Sequence, residues 1–378
     1  MKIIVLGAGL VGGPMASDLT ADPGFSVTVA DIRAEALSDL REKHALQTVQ
    51  QDLSRPENVR SLVADFDLVL SAVPGFMGFR ILKAVLEAKK SVVDISFFPE
   101  DPFELDELAQ RSGVTAVVDC GVAPGMSNVL TGYAQSQLDE IETVLIYVGG
   151  LPEVREWPYE YKAVFSPFDV IEEYVRPARY VHNGKLVIRP ALSEPELLSF
   201  PGLGTLEAFN TDGLRTLIKT IAAPNMKEKT LRYPGHIEKM AVLRETGFFG
   251  KTEVEVSGKR IRPLDVTAKL LFPKWKMLET DRDITVMKVM AEGMKGGHRL
   301  RYTYDLLDRF DSETGIHSMA RTTGYTATAA VRLLARGLFA DKGIIAPERI
   351  GSRPECLQFL LANLNERRVV YREAVERC

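Results

Sequence analysis

The first 33 residues constrain the fold more than any other stretch of this chain. Ile3-Ile4-Val5-Leu6 is a short apolar run that leads straight into Gly7-Ala8-Gly9-Leu10-Val11-Gly12, and residues 13–19 read as the opening of a helix. A second β-branched run, Val27-Thr28-Val29, ends in Ala30-Asp31. Strand, glycine turn, helix, and a strand tipped by an acid make a dinucleotide-binding βαβ unit. Gly7 permits the tight turn, Gly9 lets the backbone approach a pyrophosphate, and Gly12 lets the helix pack on the sheet. The helix start supplies unpaired N–H groups and a positive dipole end for the phosphates. Asp31 stands roughly 20 residues beyond the glycines, where a carboxylate accepts the ribose hydroxyls of an adenosine. A carboxylate there repels a 2′-phosphate, so the expected cofactor is NAD, although Arg33 could pair with that phosphate. Leu10, Val11 and Ile32 belong to the same expected cofactor contact, and Asp52 either lies near where an adenine edge would come or serves as a helix N-cap or loop acid.

The pattern then repeats. Strands are expected near residues 46–49, 67–73, 91–96 and 115–120, with helices at 34–44, 81–90 and 103–112, which calls for a parallel sheet with right-handed crossovers. Ser71, Ala72, Val73 and Pro74 close a buried strand with small residues, so the dinucleotide can lie against the backbone at the carboxyl edge. Asp94 and Asp119 end two further strands on that edge and are candidates for catalysis. The turn Cys120-Gly121-Val122-Ala123-Pro124-Gly125 brings backbone N–H groups of Gly121 and Val122 toward the nicotinamide end.

From residue 142 the texture changes to short strands, proline- and aromatic-rich loops, and the hairpin signals Asn183-Gly184 and Ser257-Gly258. The expected architecture is an α/β fold: an N-terminal Rossmann doubly wound parallel sheet (1–125), an inserted α+β mixed-sheet domain for substrate and dimerisation (126–315), and a C-terminal helical segment (316–378) returning to the first domain. At 378 residues with 46% hydrophobic content the chain can bury such a core. A net charge of −4 gives no basic footprint for nucleic acid. Cys120, Cys356 and Cys378 have no paired spacing, so neither a disulfide framework nor a metal site is expected. No apolar run approaches the ~20 residues that span a bilayer. The chain opens on a strand rather than a signal peptide, so no membrane contact and a cytoplasmic location are expected.

Several motifs together resemble the saccharopine dehydrogenase superfamily. They are the glycine fingerprint, the turn at 120–125, Tyr161-Lys162, Ser166-Pro167, Arg232-Tyr233-Pro234-Gly235-His236 and Arg321-Thr322-Thr323-Gly324-Tyr325. Within it the pattern is most similar to the lysine 6-dehydrogenases. The resemblance implies NAD-dependent oxidative deamination of the ε-amino group of L-lysine to the 6-semialdehyde, which cyclises, with release of ammonia. It also implies a homodimer and a small amino-acid substrate.

Hydride leaves a carbon bearing a neutral amine, not an ammonium, so a base is needed. His236, projected by Pro234-Gly235, is the first candidate, with Asp94 and Asp119 beside it. Lys162 could serve if burial lowered its pKa. Arg244 is the expected carboxylate anchor, and Tyr161, Thr211, Asp212 and Thr323 are further substrate contacts. The rival is a saccharopine-forming or carboxynorspermidine-forming imine reductase, whose substrates carry extra carboxylates or amines and so call for more than one arginine. Arg155, Arg176, Arg179 and Arg215 are available for that. A non-catalytic NAD sensor is a third reading, and the abundance of His, Asp and Arg between residues 94 and 325 argues against it.

Overall fold

The computed structural model describes residues 1–278 and 280–378. The chain divides into two compact units, Met1–Glu140 with Met319–Tyr371, and Ile141–Ser318 with Arg372–Cys378.

The first unit is built on β1 (Lys2–Leu6), β2 (Ser26–Asp31), β3 (Gln47–Gln50), β4 (Leu68–Ser71), β5 (Ser91–Asp94), β6 (Thr115–Val117) and a late strand, Gly343–Ile345. Neighbouring strands run parallel, in the order Gly343–Ile345, β6, β5, β4, β1, β2, β3. The order reverses between β1 and β4, which opens the crevice where such sheets take ligands. Residues 3–6 and 68–71 are buried throughout, as expected of strands covered on both faces.

The boundary expected at residue 125 lies instead at Glu140. The helix Met126–Gln137 stays with the first unit because it meets Pro347–Gly351 backbone to backbone. A Cβ on Gly132 would stand 2.0 Å from the Glu348 carbonyl oxygen, and one on Gly351 would stand 1.8 Å from that of Val129.

The returning segment is clamped to α1 (Gly12–Leu19). Arg332, on the helix Ser318–Ala335, reaches the carboxylates of Asp18 and Asp22, each at 2.6 Å, with its side chain 2% exposed. Arg367 binds the other Asp18 oxygen at 2.5 Å, and Thr328 donates to Asp18 as well. Gly324 allows the close approach, since a Cβ there would lie 2.8 Å from Met15.

The second unit carries the mixed sheet. Its order is Glu196–Phe200, Gly204–Asn210, Asn225–Arg232, Glu140–Pro152, Asp283–Lys295, His298–Arg309 and Tyr371–Arg377, with Ala178–His182 and Lys185–Arg189 joined to Asn225–Arg232 off that path. Asn225–Arg232 is parallel to Glu140–Pro152, whereas its pairing with Gly204–Asn210 is antiparallel. The helices Pro167–Val175, His236–Thr246 and Pro263–Trp275 bury Tyr174, Ile237, Met240, Leu271 and Trp275 in one apolar cluster with Phe209. Asn183-Gly184 and Ser257-Gly258 are the expected hairpin turns, all four residues at positive φ. One expectation is corrected here: residues 372–378 do not return to the first domain. They form an edge strand of the second sheet, where Tyr304 donates to Glu373 at 3.0 Å. Among the described residues no helix is long and apolar enough to cross a membrane.

Arg332→Ala removes a buried partner from two carboxylates, and breaking such a pair costs about 3 kcal/mol or more. A clear fall in Tm is therefore expected in a thermal melt; an unchanged Tm would show that Arg367 alone holds the segment.

Candidate functional site

In the first unit, β1 delivers the chain into Gly7, at φ +105°, where a Cβ would stand 2.7 Å from the Ala72 carbonyl oxygen. A Cβ on Gly12 would lie 2.1 Å from the Gly7 carbonyl oxygen, so this turn closes only on glycine. Gly9 is different, since nothing lies within 4 Å of the place its Cβ would take. No side chain caps the start of α1, and no acid stands in its first turn. An open approach at Gly9 beside an uncapped helix N-terminus fits a pyrophosphate. Leu10 and Ile32 are exposed apolar residues beside this turn, and Val73 is buried just past the carboxyl end of β4, a central strand.

At the tip of β2, Asp31 accepts from the Ala8 N–H at 2.7 Å and the Arg33 N–H at 2.9 Å. The Arg33 guanidinium also binds both carboxylate oxygens, at 3.1 and 3.2 Å, with its side chain 59% exposed. Burial raises the Asp31 pKa, but the hydrogen bonds from Arg33 and Ala8 outweigh it and hold the carboxyl below its usual range. Of the two roles expected for Asp52, the structure shows the cap rather than the adenine contact: it accepts from the N–H and hydroxyl of Ser54 and pairs with Arg55.

Asp94 and Asp119 lie on the carboxyl edge of the same sheet, both buried. One Asp94 oxygen accepts from the Ser96 N–H at 3.1 Å and hydroxyl at 2.7 Å. Asp94 Oδ2 and Ser71 Oγ are left without a hydrogen bond of normal length, although Ser71 is near enough to lower the carboxyl's pKa slightly. Burial dominates and, helped by the nearby Asp119 charge, pushes Asp94 up to about 7. Asp119 itself holds φ +50°, an uncommon backbone for a non-glycine residue. Burial pushes the Cys120 thiol up to about 12, so it stays protonated at neutral pH. The turn that follows is closed by glycine, since a Cβ on Gly125 would lie 1.9 Å from the Gly121 carbonyl oxygen. Val122 is buried, and Thr323 packs on Gly121, 3.2 Å from where its Cβ would be.

In the second unit the expected substrate residues separate. His236 is buried, with Nδ1 at 2.8 Å from the Tyr159 carbonyl and Nε2 at 2.9 Å from the Tyr174 hydroxyl. Burial, with the Arg232 charge beside it, pushes its pKa down to about 3. The ring is therefore neutral near pH 7 with both nitrogens engaged, which corrects the expectation of a titrating acid–base. Tyr161 is buried against Trp275 and His236, with the Arg232 guanidinium 4.6 Å over its ring. Lys162 pairs with Glu156 at 3.1 Å and Asp281 at 3.6 Å, and so is held as an ion-pair partner. Arg244 is corrected too: its guanidinium binds the carbonyls of Ala191 and Tyr174 and pairs with Glu245.

A different set of charges converges. Arg179 makes a two-pronged pair with Asp212, at 2.7 and 2.9 Å. Arg176 and Arg215 are both largely buried, and burial followed by the Arg215 charge pushes the Arg176 pKa down, while Asp212 acts the other way. Thr211 donates to Glu228 at 2.5 Å. Glu228, which the pattern Lys227-Glu228-Lys229-Thr230 hides, is the residue that reading the sequence missed: charges alternate along the strand, Glu228 and Lys229 are both buried, and the sequence does not show which of them meets the turn. Among the described residues no group of three His, Cys, Asp or Glu side chains is placed to hold a metal ion.

The reversed sheet and its glycine turn define a Rossmann-type dinucleotide-binding fold. The chain belongs to the saccharopine dehydrogenase family: the saccharopine dehydrogenase NADP binding domain matches residues 3–117, and the saccharopine dehydrogenase C-terminal domain matches 121–370. Mouse (Mus musculus) mitochondrial alpha-aminoadipic semialdehyde synthase is 27% identical over 295 residues, 74% of this chain but 31% of that protein, so the chain spans about a third of that relative. Saccharopine dehydrogenase [NADP(+), L-glutamate-forming] of Pyricularia oryzae is 25% identical over 426 residues, covering 92% of this chain and 93% of its own. The apo saccharopine dehydrogenase (L-Glu forming) structure from Saccharomyces cerevisiae shares the fold, with TM-score 0.80, 20% identity and 99% of each chain covered.

A neutral buried His236 gives the folded state a proton deficit relative to the unfolded chain between about pH 6.5 and 3. Its stabilising contribution is complete above about 6.5 and declines as the pH falls toward 3. Thermal melts from pH 4 to 7 are expected to fall less steeply on acidification for His236→Gln than for the native protein.

Proposed function

We propose that this chain carries out NAD(P)-linked redox chemistry at a carbon–nitrogen bond of a secondary amine bearing several carboxylates, of the saccharopine type. The observation that supports it best is the convergence of Arg176, Arg179 and Arg215 around Asp212 in the second unit. Planar guanidinium forks match carboxylates, and several forks suit a substrate with several. Oxidative deamination of L-lysine at its ε-amino group is the second reading. Asp94 favours it as much as the first, because a carboxyl titrating near neutrality suits removal of an amine proton in either reaction.

When bound, the nicotinamide supplies the hydride acceptor or donor. Gly7, Gly9 and Gly12 hold the pyrophosphate in this reading, and Asp31 takes the ribose hydroxyls. Asp94 takes the proton from the amine, since its carboxyl is anionic above about pH 7 and protonated below. Burial, helped by the charge of Asp119, keeps that carboxyl weakly acidic. Tyr161, Tyr174 and His236 hold the frame of the second unit rather than exchange protons. Exposed Val254, Val256, Val266 and Leu270 on the ribbon Val254–Ile261 and the helix Pro263–Trp275 support a homodimer through the second unit, since a lone two-stranded ribbon is marginal in water.

Asp31 favours NAD over NADP. Arg33 works against that preference, because an exposed guanidinium that turns outward meets a 2′-phosphate while leaving Asp31 for ribose.

Reduced cofactor consumed with lysine 6-semialdehyde plus glutamate, but not produced from L-lysine, is the outcome expected in a spectrophotometric assay; the reverse pattern selects lysine deamination. In the amine-oxidising direction kcat/KM rises with pH through about 7 and in the imine-reducing direction it falls, and Asp94→Asn lowers kcat by about 10²–10⁴ and abolishes that limb. An unchanged pH profile in the variant would remove Asp94 from proton transfer. Asp31→Ala should weaken NAD binding about tenfold or more while leaving NADP much less affected, read by fluorescence titration; equal losses would take the ribose role from Asp31.

A further inference from the structure

Glu228 lies in the middle of the strand Asn225–Arg232, buried in the mixed sheet. Its carboxyl does two things to the turn that follows Gly204–Asn210. One oxygen accepts from the Thr211 hydroxyl at 2.5 Å and from the Gly213 N–H at 3.1 Å. Thr211 Oγ1 is also 2.8 Å from Thr230 Oγ1, so the turn is tied to the strand twice. Gly213 is the residue that admits the carboxyl, because a Cβ there would lie 2.3 Å from Glu228 Cδ. Between the two tied residues sits Asp212, which holds Arg179 by two hydrogen bonds. Two residues on from Gly213, Arg215 takes φ +53°, a backbone that persists only where surrounding contacts enforce it.

We propose that Glu228 is a positioning residue for the anion grip of Arg176, Arg179 and Arg215, acting through the turn Thr211-Asp212-Gly213. The proposal rests on the reading of those arginines as carboxylate anchors. A neutral carboxyl suits this role, because it accepts from Thr211 and Gly213 while adding no negative charge beside Asp212. Burial, with the charges of Glu173 and Asp212, pushes Glu228 up to about 8, so it is uncharged at neutral pH. The groups facing it are Glu173 from the helix Pro167–Val175, which pairs with Arg232 at 2.6 Å, and Asp212, which pairs with Arg179 at 2.7 Å. Above about pH 8 a second negative charge forms next to Asp212. It opposes a substrate carboxylate brought to the guanidiniums, which themselves do not titrate in this range.

Calorimetric titration of the full chain with 2-oxoglutarate, a dicarboxylate with no titration of its own between pH 6.5 and 9.5, reads this directly. For the native protein Kd is expected to be constant up to about pH 8 and then to rise up to about tenfold per pH unit. Glu228→Gln keeps the acceptor oxygen and cannot ionise. It should match the native Kd at pH 7 within about threefold and stay flat to pH 9.5, with the same pattern in substrate KM and an unchanged kcat. Glu228→Ala should raise Kd and KM at every pH. A native profile that is flat to pH 9.5, or a Glu228→Gln profile that still rises, overturns the role of Glu228; the first result needs no variant to fold. Arg215→Ala separates this from the underlying reading. If Arg215→Ala weakens 2-oxoglutarate tenfold or more while the Glu228→Gln profile still rises, the anchors stand and the Glu228 proposal falls. If neither the native chain nor Arg215→Ala binds the dicarboxylate, the anchor reading falls and takes the proposal with it.

Discussion

The first unit depends on one carboxylate. The chain leaves this unit after residue 140, builds a second sheet, and re-enters at residue 319, so nothing local obliges residues 319–371 to come back. Asp18 is what they come back to. It gathers Arg332, Arg367 and Thr328 on the side of α1 away from the glycine turn, and every partner lies more than 300 residues downstream. Charges this deeply buried are tolerated only when fully paired, which makes the arrangement specific: a slipped helix would strand Arg332 among apolar neighbours. The late strand Gly343–Ile345 then completes the sheet beside β6, and Gly132 and Gly351 let two backbones touch.

The same logic of close approach runs through the cofactor turn. Gly7 and Gly12 are glycine because backbone oxygens of the protein itself occupy the space, whereas Gly9 is glycine with empty space beside it. The sequence pattern treats the three alike, and only the second of these situations leaves room for a ligand. The carboxyl edge of the sheet shows a related division of labour. Asp31, held by Arg33 and Ala8, stays ionised, while Asp94 a few strands away is raised to about 7 by burial. Two aspartates at strand ends of one sheet differ because Asp94 is the more deeply buried and has only hydroxyl and amide donors beside a second acid, whereas Asp31 has a guanidinium partner.

In the second unit, burial converts apparent chemistry into scaffolding. The motif Arg232-Tyr233-Pro234-Gly235-His236 reads as a turn presenting a histidine, yet the ring points into an aromatic cluster with Tyr161, Tyr174 and Trp275. Arg232 lies there too, neutralised by Glu173. A second polar cluster is assembled from Arg176, Arg179, Asp212 and Arg215, which come from a loop, a strand and a strained turn. No motif joins them, because residues 176 and 215 are brought together by sheet pairing between segments that are each ordinary alone.

What the sequence determined by itself is the βαβ unit, the parallel sheet, the two hairpin turns and the acids at the strand ends. These follow from short-range rules: apolar runs of strand length, glycines at fixed spacing, and turn dipeptides that need positive φ. Tertiary structure decided the rest: that helix Met126–Gln137 stays with the first unit, that the last seven residues join the second sheet, that His236 is neutral, and that Glu228 rather than Lys227 or Lys229 faces the turn at Gly213. Each of those depends on which surface a residue is pressed against. A pKa and a hydrogen bond are set by neighbours in space, and in this chain the deciding neighbours are tens to hundreds of residues away.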